Sequence, residues 1–381
     1  MAKRKIKIGV VFGGRSGEHE VSVVSAESVM KALDKSKYEV IPIGITKAGK
    51  WITGPKTVRI LKDGTKNKLP LLEKIVIPDA TKRELVPVKK NRLVNELTKN
   101  NKIDVIIPIL HGPLGEDGTI QGLFELANLP YVGAGVLGSA IGMDKVIQKK
   151  LFKEAQLPVV KFISFIKKDW LKNKKKITDQ IKRELGFPCF TKSANLGSSV
   201  GISKIHSFLE LEKGIAEALK YDRKVIVEKA VVKAREIEIG ILGNDEPKVS
   251  VPGEIIPSRE FYDYDAKYVD EASKTVIPAK LPKAIIKKAQ NIALKAFQVI
   301  DGAGMARVDF LVGKKNNKIY LSEINTIPGF TSISMYTKLW EASGIPYPKL
   351  IEKLINLAQE RHKEKNQLLT SYKPKENWYR K

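Results

Sequence analysis

Two regimes of hydrophobic patterning divide this chain. In the first, Lys5–Phe12 is a mostly apolar run closed by Gly13-Gly14-Arg15-Ser16-Gly17, which predicts a buried strand and a tight turn. Val21–Asp34 then repeats its apolar residues at helical spacing. Tyr38–Ile45 alternates through Ile41, Ile43 and Ile45, and Asp104–Leu110 is a third apolar strand. Strand, glycine turn, helix and strand in that order predict an open, parallel α/β sheet. The intervening residues 47–100 are polar, lysine-rich and broken by prolines, as expected of surface elaboration.

From about Ala134 the pattern changes. A helix is predicted near Gly142–Ala155, followed by strands at Val159–Ile166, Pro188–Ser193, Gly201–Ile205 and Val225–Glu228. Further strands are expected at Glu236–Leu242, Lys248–Ile255, Ala306–Val312 and Ile319–Asn325, with helices at Phe208–Leu219 and Lys283–Val299. Many short strands with few intervening helices point to α+β units with mostly antiparallel sheets. A boundary falls near residues 133–135 and a softer one near Glu228.

Composition narrows the classes. With 381 residues, 43% of them apolar, the chain can bury two or three cores. Apolar runs such as Val105–Leu110 are far shorter than the roughly 18 residues of a membrane span. The basic amino end lacks a signal-peptide apolar region, and Cys189 is the only cysteine, which excludes an intrachain disulfide and a cysteine-based zinc site. A soluble, intracellular protein is expected. The net charge of +26 raises a polyanion partner, with local concentrations at Lys167–Arg183 and Arg361–Lys381. Aromatic residues are not interleaved with the basic ones as in a single-strand binder, so a solvated helix face and a tail are the favoured reading.

Candidate chemistry lies in several blocks. Gly133-Ala-Gly-Val-Leu-Gly138 has the dinucleotide spacing, but Pro130 truncates the preceding strand and no acidic residue ends a following one. The chain contains no P-loop. In Ala306–Val312, alternation puts Arg307 and Asp309 on one face. In Ile319–Asn325 it does the same for Glu323 and Asn325. A hairpin centred near Asn316 would set Asp309 opposite Glu323, making an oxygen-rich face suited to Mg2+ and phosphate, or a solvated polar face neutralised by Arg307. Lys192 begins a Gly/Ser loop through Gly201 that could cover phosphates, or could simply turn the chain. His111–Gly118 follows a strand where parallel sheets place ligand loops, and Glu18 sits at the first strand-to-helix turn.

Taken together, these blocks resemble the D-alanine–D-alanine ligase family of the ATP-grasp superfamily. The matching segments are FGGRSGEHEVS (12–22), HGPLGEDGTIQG (111–122), GMDK (142–145), KSANLGSSVGIS (192–203), EKAVVKAREIE (228–238) and EFYDYDAKY (260–268). The stretch from ARVDF through EINTIPGFTSISMY (306–336) completes the series, in family order. The resemblance implies a three-domain ATP-grasp fold: an α/β amino-terminal domain over 1–133, then α+β units over 134–228 and 229–381 that clasp ATP. It implies that Lys145 and Lys192 hold ATP phosphates, that Glu228, Lys229, Ala230 and Val231 form the adenine hinge, and that Glu236 binds ribose. Asp309, Glu323 and Asn325 would hold two Mg2+ ions, with Mn2+ as a substitute. Glu18 and His111 would orient the first D-alanine, and Arg307 and the Gly329 amide would stabilise the oxyanion. Ser334, Met335 and Lys267 would take the second substrate's carboxylate. Ser198 and Tyr268 would join Glu18 in closing the 260–268 loop.

The implied activity is ATP-dependent formation of D-alanyl-D-alanine through an acyl phosphate, a cytoplasmic step of peptidoglycan precursor synthesis that supports cell-wall biogenesis and cell shape. The implied partners are two D-alanine molecules and ATP, with a homodimer the common state and no membrane or nucleic acid. Two rivals are a D-alanine–D-lactate ligase, against which Lys267-Tyr268 argues, and a basic RNA-binding protein that keeps only the fold. Ser193 and Thr337 stand where the family usually has proline, the former implying a looser loop. The basic tail after about Glu360 has no family role.

Overall fold

The computed structural model describes residues 4–63, 73–87, 102–197, 200–257 and 274–372. The chain opens with β1 (Ile6–Gly13), α1 (His19–Ala32), β2 (Tyr38–Ile45), β3 (Trp51–Thr53) and α2 (Thr57–Asp63). A small hairpin of β4 (Lys74–Val76) and β5 (Leu85–Pro87) follows, then β6 (Val105–Ile109) and α3 (Thr119–Leu126). The first sheet has the order β3-β2-β1-β6, with β1 parallel to both β2 and β6. Its strands are apolar on both sides because both faces are covered. Val11, Ile43 and Ile106 pack with Phe124 of α3 on one face, and Ile8, Val10 and Ile107 pack with α1 on the other.

Next come α4 (Val136–Met143), α5 (Lys145–Glu154), β7 (Phe162–Ile166), α6 (Lys167–Glu184), β8 (Cys189–Ser193), β9 (Ser203–Ile205), α7 (Phe208–Ala218) and β10 (Lys224–Lys229). The helix expected over 142–155 is thus two. Asp144 leaves helical backbone (φ −86, ψ 100) and its carboxylate accepts the N–H groups of Val146 and Ile147, capping a new helix. The second sheet, β7-β10-β8-β9, is wholly antiparallel. Helix α6 buries Trp170, Ile177, Thr178 and Ile181 and turns its lysines outward, which is the solvated face that the charge pattern favoured.

The third sheet is built from β11 (Ala234–Gly243), β12 (Lys248–Val249), β13 (Gly253–Ile256), β14 (Lys274–Val276), β15 (Gly304–Gly313) and β16 (Ile319–Asn325). Its order is β14-β13-β11-β15-β16, with β12 beside β11. The single strand expected over Lys248–Ile255 is broken before Gly253, where Pro252 lacks the donor a ladder needs. Helix α8 (Lys283–Val299) covers the inner face through Ala289, Ala293, Ala296 and Phe297.

The chain then returns. Helices α9 (Met335–Ala342) and α10 (Tyr347–Lys365) bring Tyr336, Trp340, Leu350, Leu354 and Ile355 into the same core as Ile8, Phe12 and Ile107 of the first sheet. Arg361 of α10 lies over the Tyr131 ring, 4.5 Å from its centre, and donates to the Tyr131 and Gly133 carbonyls. No helix among the described residues is long and apolar enough to cross a membrane. Ile355 is fully buried in the joint between α10 and the first sheet. Ile355→Ala is expected to cost about 2–5 kcal/mol, read as a lower urea midpoint. An unchanged midpoint would mean that the joint does not bear on stability.

Candidate functional site

The register of the last hairpin decides where the acidic side chains point. Between its loop and Phe310, β15 and β16 pair as Val312↔Ile319, Leu311↔Tyr320 and Phe310↔Leu321. Continued unbroken, that register would set Ser322 opposite Asp309 and Glu323 opposite Val308, on the core face. Instead a bulge at Ser322 shifts the ladder, so that Asp309 faces Glu323 and Arg307 faces Asn325. The hairpin expected from the sequence therefore delivers its carboxylate pair, but only through one extra residue that alternation did not reveal.

Arg307 sits between two strands' acids. It donates to Asp309 from Nε (2.8 Å) and Nη2 (2.7 Å), and its Nε lies 3.0 Å from Glu238 Oε2 on β11. Burial opposes the Arg307 charge, but Asp309 and Glu238 more than offset it. Asn325 donates to Asp309 Oδ2 at 3.0 Å. Among the described residues no group of three or more His, Cys, Asp or Glu side chains gathers as a metal site. The donor set here is two carboxylates and an amide, the hard-oxygen chemistry that suits Mg2+ shared with phosphate.

The cations come from the neighbouring elements. Lys145, in the first turn of α5, donates to the Leu196 carbonyl (2.7 Å) and lies 3.5 Å from Glu323 Oε2. Lys192 on β8 lies 2.7 Å from Glu228 Oε2, and Lys149, one turn beyond Lys145, lies 2.9 Å from Glu228 Oε1. Burial alone would raise the Glu228 pKa, yet the two ammonium groups hold it down at about 2, against an ordinary 4.5. Burial lowers the pKa of Lys149, and the Glu228 charge opposes that shift. Beyond Glu228, the exposed Lys229 and half-buried Ala230 and Val231 leave the end of β10, where the Ala230 N–H bonds the Pro188 carbonyl at 3.1 Å. Glu236 stands on β11 in register with Leu311 and Ile255.

The first sheet contributes its carboxyl-end loops. Glu18, His111 and Glu116 form an acidic and imidazole cluster. Burial lowers the His111 pKa against the pull of Glu18, and among the described residues its buried Nε2 has no hydrogen-bond partner. Burial, reinforced by the Glu18 charge, pushes the Glu116 carboxyl well above its usual range, although its Oε2 accepts the Gly112 N–H at 2.6 Å. Glu18 is approached so closely that a Cβ at Gly112 or Gly197 would lie 2.9 or 2.8 Å from its Oε2. The Lys192–Gly201 loop thus reaches the turn that carries Glu18. Across the site, Ser334 stands at the N-cap position of α9, with no side-chain cap bond to the helix. Its Oγ accepts the Thr331 N–H at 3.0 Å and would be 3.3 Å from a Cβ at Gly329. Met335 opens the helix, whose N–H groups suit a carboxylate.

Both departures from the family pattern have local partners. The Ser193 hydroxyl donates to the Ala218 carbonyl (2.9 Å), and that of Thr337 lies 2.7 Å from Thr331 O and 2.8 Å from Ser334 O. Ser198, Lys267 and Tyr268 lie outside the described residues. Sequence reasoning missed Lys149, Glu238 and Glu116. Lys149 repeats Lys145 at the i, i+4 spacing, and Glu238 repeats Glu236 at strand spacing, so periodicity could have found both. Glu116 lies within the 111–122 segment, where its burial beside Glu18 has no sequence signal.

Lysines of helix α5 and of the second sheet thus gather with Glu228 of that sheet and Glu323 of the third, where two antiparallel sheets meet, consistent with an ATP-grasp protein. Family models described as the D-ala D-ala ligase N-terminus and C-terminus match residues 7–134 and 151–356. The chain belongs to the D-alanine–D-alanine ligase family. It is 48% identical over 372 residues to the D-alanine–D-alanine ligase of Heliobacterium modesticaldum, spanning 97% of this chain and 99% of that protein. The ligase of the same name from Caldicellulosiruptor bescii is 51% identical over 364 residues, with 96% and 98% covered. The D-alanine–D-alanine ligase structure from Coxiella burnetii superposes with a TM-score of 0.80 at 36% identity, covering 96% and 97% of the two chains. The VanG D-Ala:D-Ser ligase of Enterococcus faecalis gives 0.81 at 34%, covering 93% and 100%.

The Glu228 charge predicts an acid-dependent stability. Because its folded pKa of about 2 lies below the ordinary 4.5, its contribution is complete above about pH 4.5 and is lost as pH falls toward 2. Melting temperatures between pH 5 and pH 2.5 should fall more steeply for the unaltered chain than for Glu228→Gln. Parallel curves would show that the charge adds no stability.

Proposed function

We propose that this chain is an ATP-dependent, ADP-forming ligase that joins two D-alanine molecules into D-alanyl-D-alanine for peptidoglycan precursor synthesis, as a soluble cytoplasmic enzyme. The observation that carries the reading is the meeting of Lys145 with Glu323 beside the Lys192–Glu228 pair. Phosphate-binding cations and a magnesium-type carboxylate there share one seam, and the family match supports it. The sheets also support a division into residues 1–133, 134–228 and 229–381.

A carboxylate resists attack by an amine because its oxygen is a poor leaving group. Transfer of the ATP γ-phosphoryl to the first D-alanine's carboxylate gives an acyl phosphate and ADP. The second D-alanine's amine attacks that carbonyl, loses a proton and expels inorganic phosphate. Lys145 and Lys192 would hold the phosphates, the hinge from Glu228 to Val231 the adenine, and Glu236 the ribose. Asp309, Glu323 and Asn325 would hold two Mg2+ ions, or Mn2+, which when bound shield the charge of the transferring phosphoryl group. The fit rests on the oxygen-only donor set and on the bulge that turns Glu323 toward Asp309.

Glu18 would hold the first D-alanine's ammonium beside His111, whose Nε2 has no partner among the described residues and would contact substrate. Arg307 and the Gly329 amide would stabilise the tetrahedral oxyanion. Ser334, Met335 and Lys267 would take the second carboxylate. Ser198 and Tyr268 would help close the site over an intermediate that water would otherwise hydrolyse.

The test is phosphate release from ATP and Mg2+ with D-alanine, against D-lactate and D-serine as second substrates. D-alanine-dependent turnover with D-alanine preferred is the expected result. A preference for D-lactate would establish the depsipeptide reading, and no turnover with any acceptor would refute the ligase reading. Glu323→Gln should keep its melting transition while losing more than about 100-fold in turnover. Turnover close to that of the unaltered chain would remove Glu323 from the metal set.

A further inference from the structure

Strand β16 lies at the edge of its sheet, so part of its backbone has no strand partner. The bulge adds to this: Ser322 is skipped by the ladder, leaving its carbonyl to find another donor. Helix α5 supplies what is missing, from two consecutive buried residues. Lys149 Nζ donates to the Ser322 carbonyl at 2.7 Å, and Gln148 Oε1 accepts the Ile324 N–H at 3.0 Å. These two backbone groups flank Glu323. Both side chains are 1% exposed, and Gln148 is fixed in turn by donating from Nε2 to the Gly142 carbonyl at 3.0 Å.

A buried ammonium and a buried amide are costly to place unless their bonds are made. Here both are satisfied by the distorted part of the hairpin. In the unbulged register Glu323 would swing to the core face, so the bulge and its partners have to form together. The helix that carries Lys145 to Glu323 is therefore the one that sets the direction of Glu323.

We propose that Gln148 and Lys149 are positioning residues that hold the Ser322 bulge and so keep the Glu323 carboxylate on the Asp309 face, ready for a divalent cation. The inference rests on the magnesium role of Glu323 proposed above, and adds two residues outside the proposed nucleotide and cation sets. Lys149 also meets Glu228, so its replacement disturbs the nucleotide hinge as well. Gln148 makes no such contact and isolates the effect on β16.

The experiment measures ADP affinity by calorimetry on the full chain, once with Mn2+ and once with EDTA, for Gln148→Leu, Lys149→Met, Glu323→Gln and the Gln148→Leu/Glu323→Gln pair. Thermal melting is followed in parallel. Gln148→Leu should lower the Mn2+-dependent gain in ADP affinity about tenfold, with the metal-free affinity unchanged. Lys149→Met should lower both. The double variant should lose no more of the gain than Glu323→Gln alone, because both changes act through one carboxylate. A retained gain in folded Gln148→Leu, or losses that add in the double variant, would overturn the proposal. So would a failure of both single variants to fold, which would make these residues supports of the fold only. A Glu323→Gln chain that keeps the full gain would instead defeat the metal reading itself.

Discussion

The register of the β15–β16 hairpin governs more of this molecule than any other single feature. A β-strand alternates its side chains with a period of two, so one residue more or less between the loop and Glu323 moves that carboxylate from solvent to core. The hairpin's inner pairs place Phe310 with Leu321 and Val312 with Ile319, all buried, and these fix the lower half of the ladder. Val308 and Ile324 fix the upper half in the same core. The two halves differ by one residue, and Ser322 absorbs the difference. Core packing on one face thus dictates that the acids appear on the other.

The charges around that face are paired before any substrate arrives. Glu228 carries two lysines, Arg307 carries Asp309 and Glu238, and the Lys145 ammonium is shared between Glu323 and the Leu196 carbonyl. Buried ions are tolerated only when paired and hydrogen-bonded, so this network specifies where each side chain points. A triphosphate and its cations entering such a seam would exchange partners within a preformed array. Little reorganisation is then left for the phosphoryl-transfer step, the condition under which electrostatic stabilisation is most effective.

Much of this was legible in the sequence, for identifiable reasons. Strands β2 and β16 and helix α8 begin and end where periodicity put them, because their alternating or amphipathic patterns have sharp ends. Asp309 and Glu323 were expected as partners from a hairpin centred near Asn316, but strand period carried on from the loop would have paired Asp309 with Ser322, and only the bulge restores the expected partner. The helix expected over 142–155 divides because Asp144 caps a second helix, a choice made by a side chain competing with its own backbone. The return of α9 and α10 to the first sheet was not legible, since an apolar helix face does not name the sheet it will cover. The bulge at Ser322 was equally silent. Its signal lies in Gln148 and Lys149, more than 170 residues away.

That return also bears on chemistry. Glu18 and His111 stand at the carboxyl ends of β1 and β6, while Ser334 and Met335 open α9, which packs on the core those same strands build. Glu18, His111, Ser334 and Met335 of the two proposed amino-acid subsites are therefore tied to one core, joined through Tyr336, Trp340 and α10. The Gly/Ser loop after β8 approaches Glu18 from the second sheet, close enough that any side chain at Gly197 would strike the carboxylate. A ligase must hold two amino acids in fixed relation to each other while a nucleotide comes and goes. Carrying both proposed amino-acid subsites on one core, and the proposed phosphate loop on another sheet, would separate those two demands in the architecture itself.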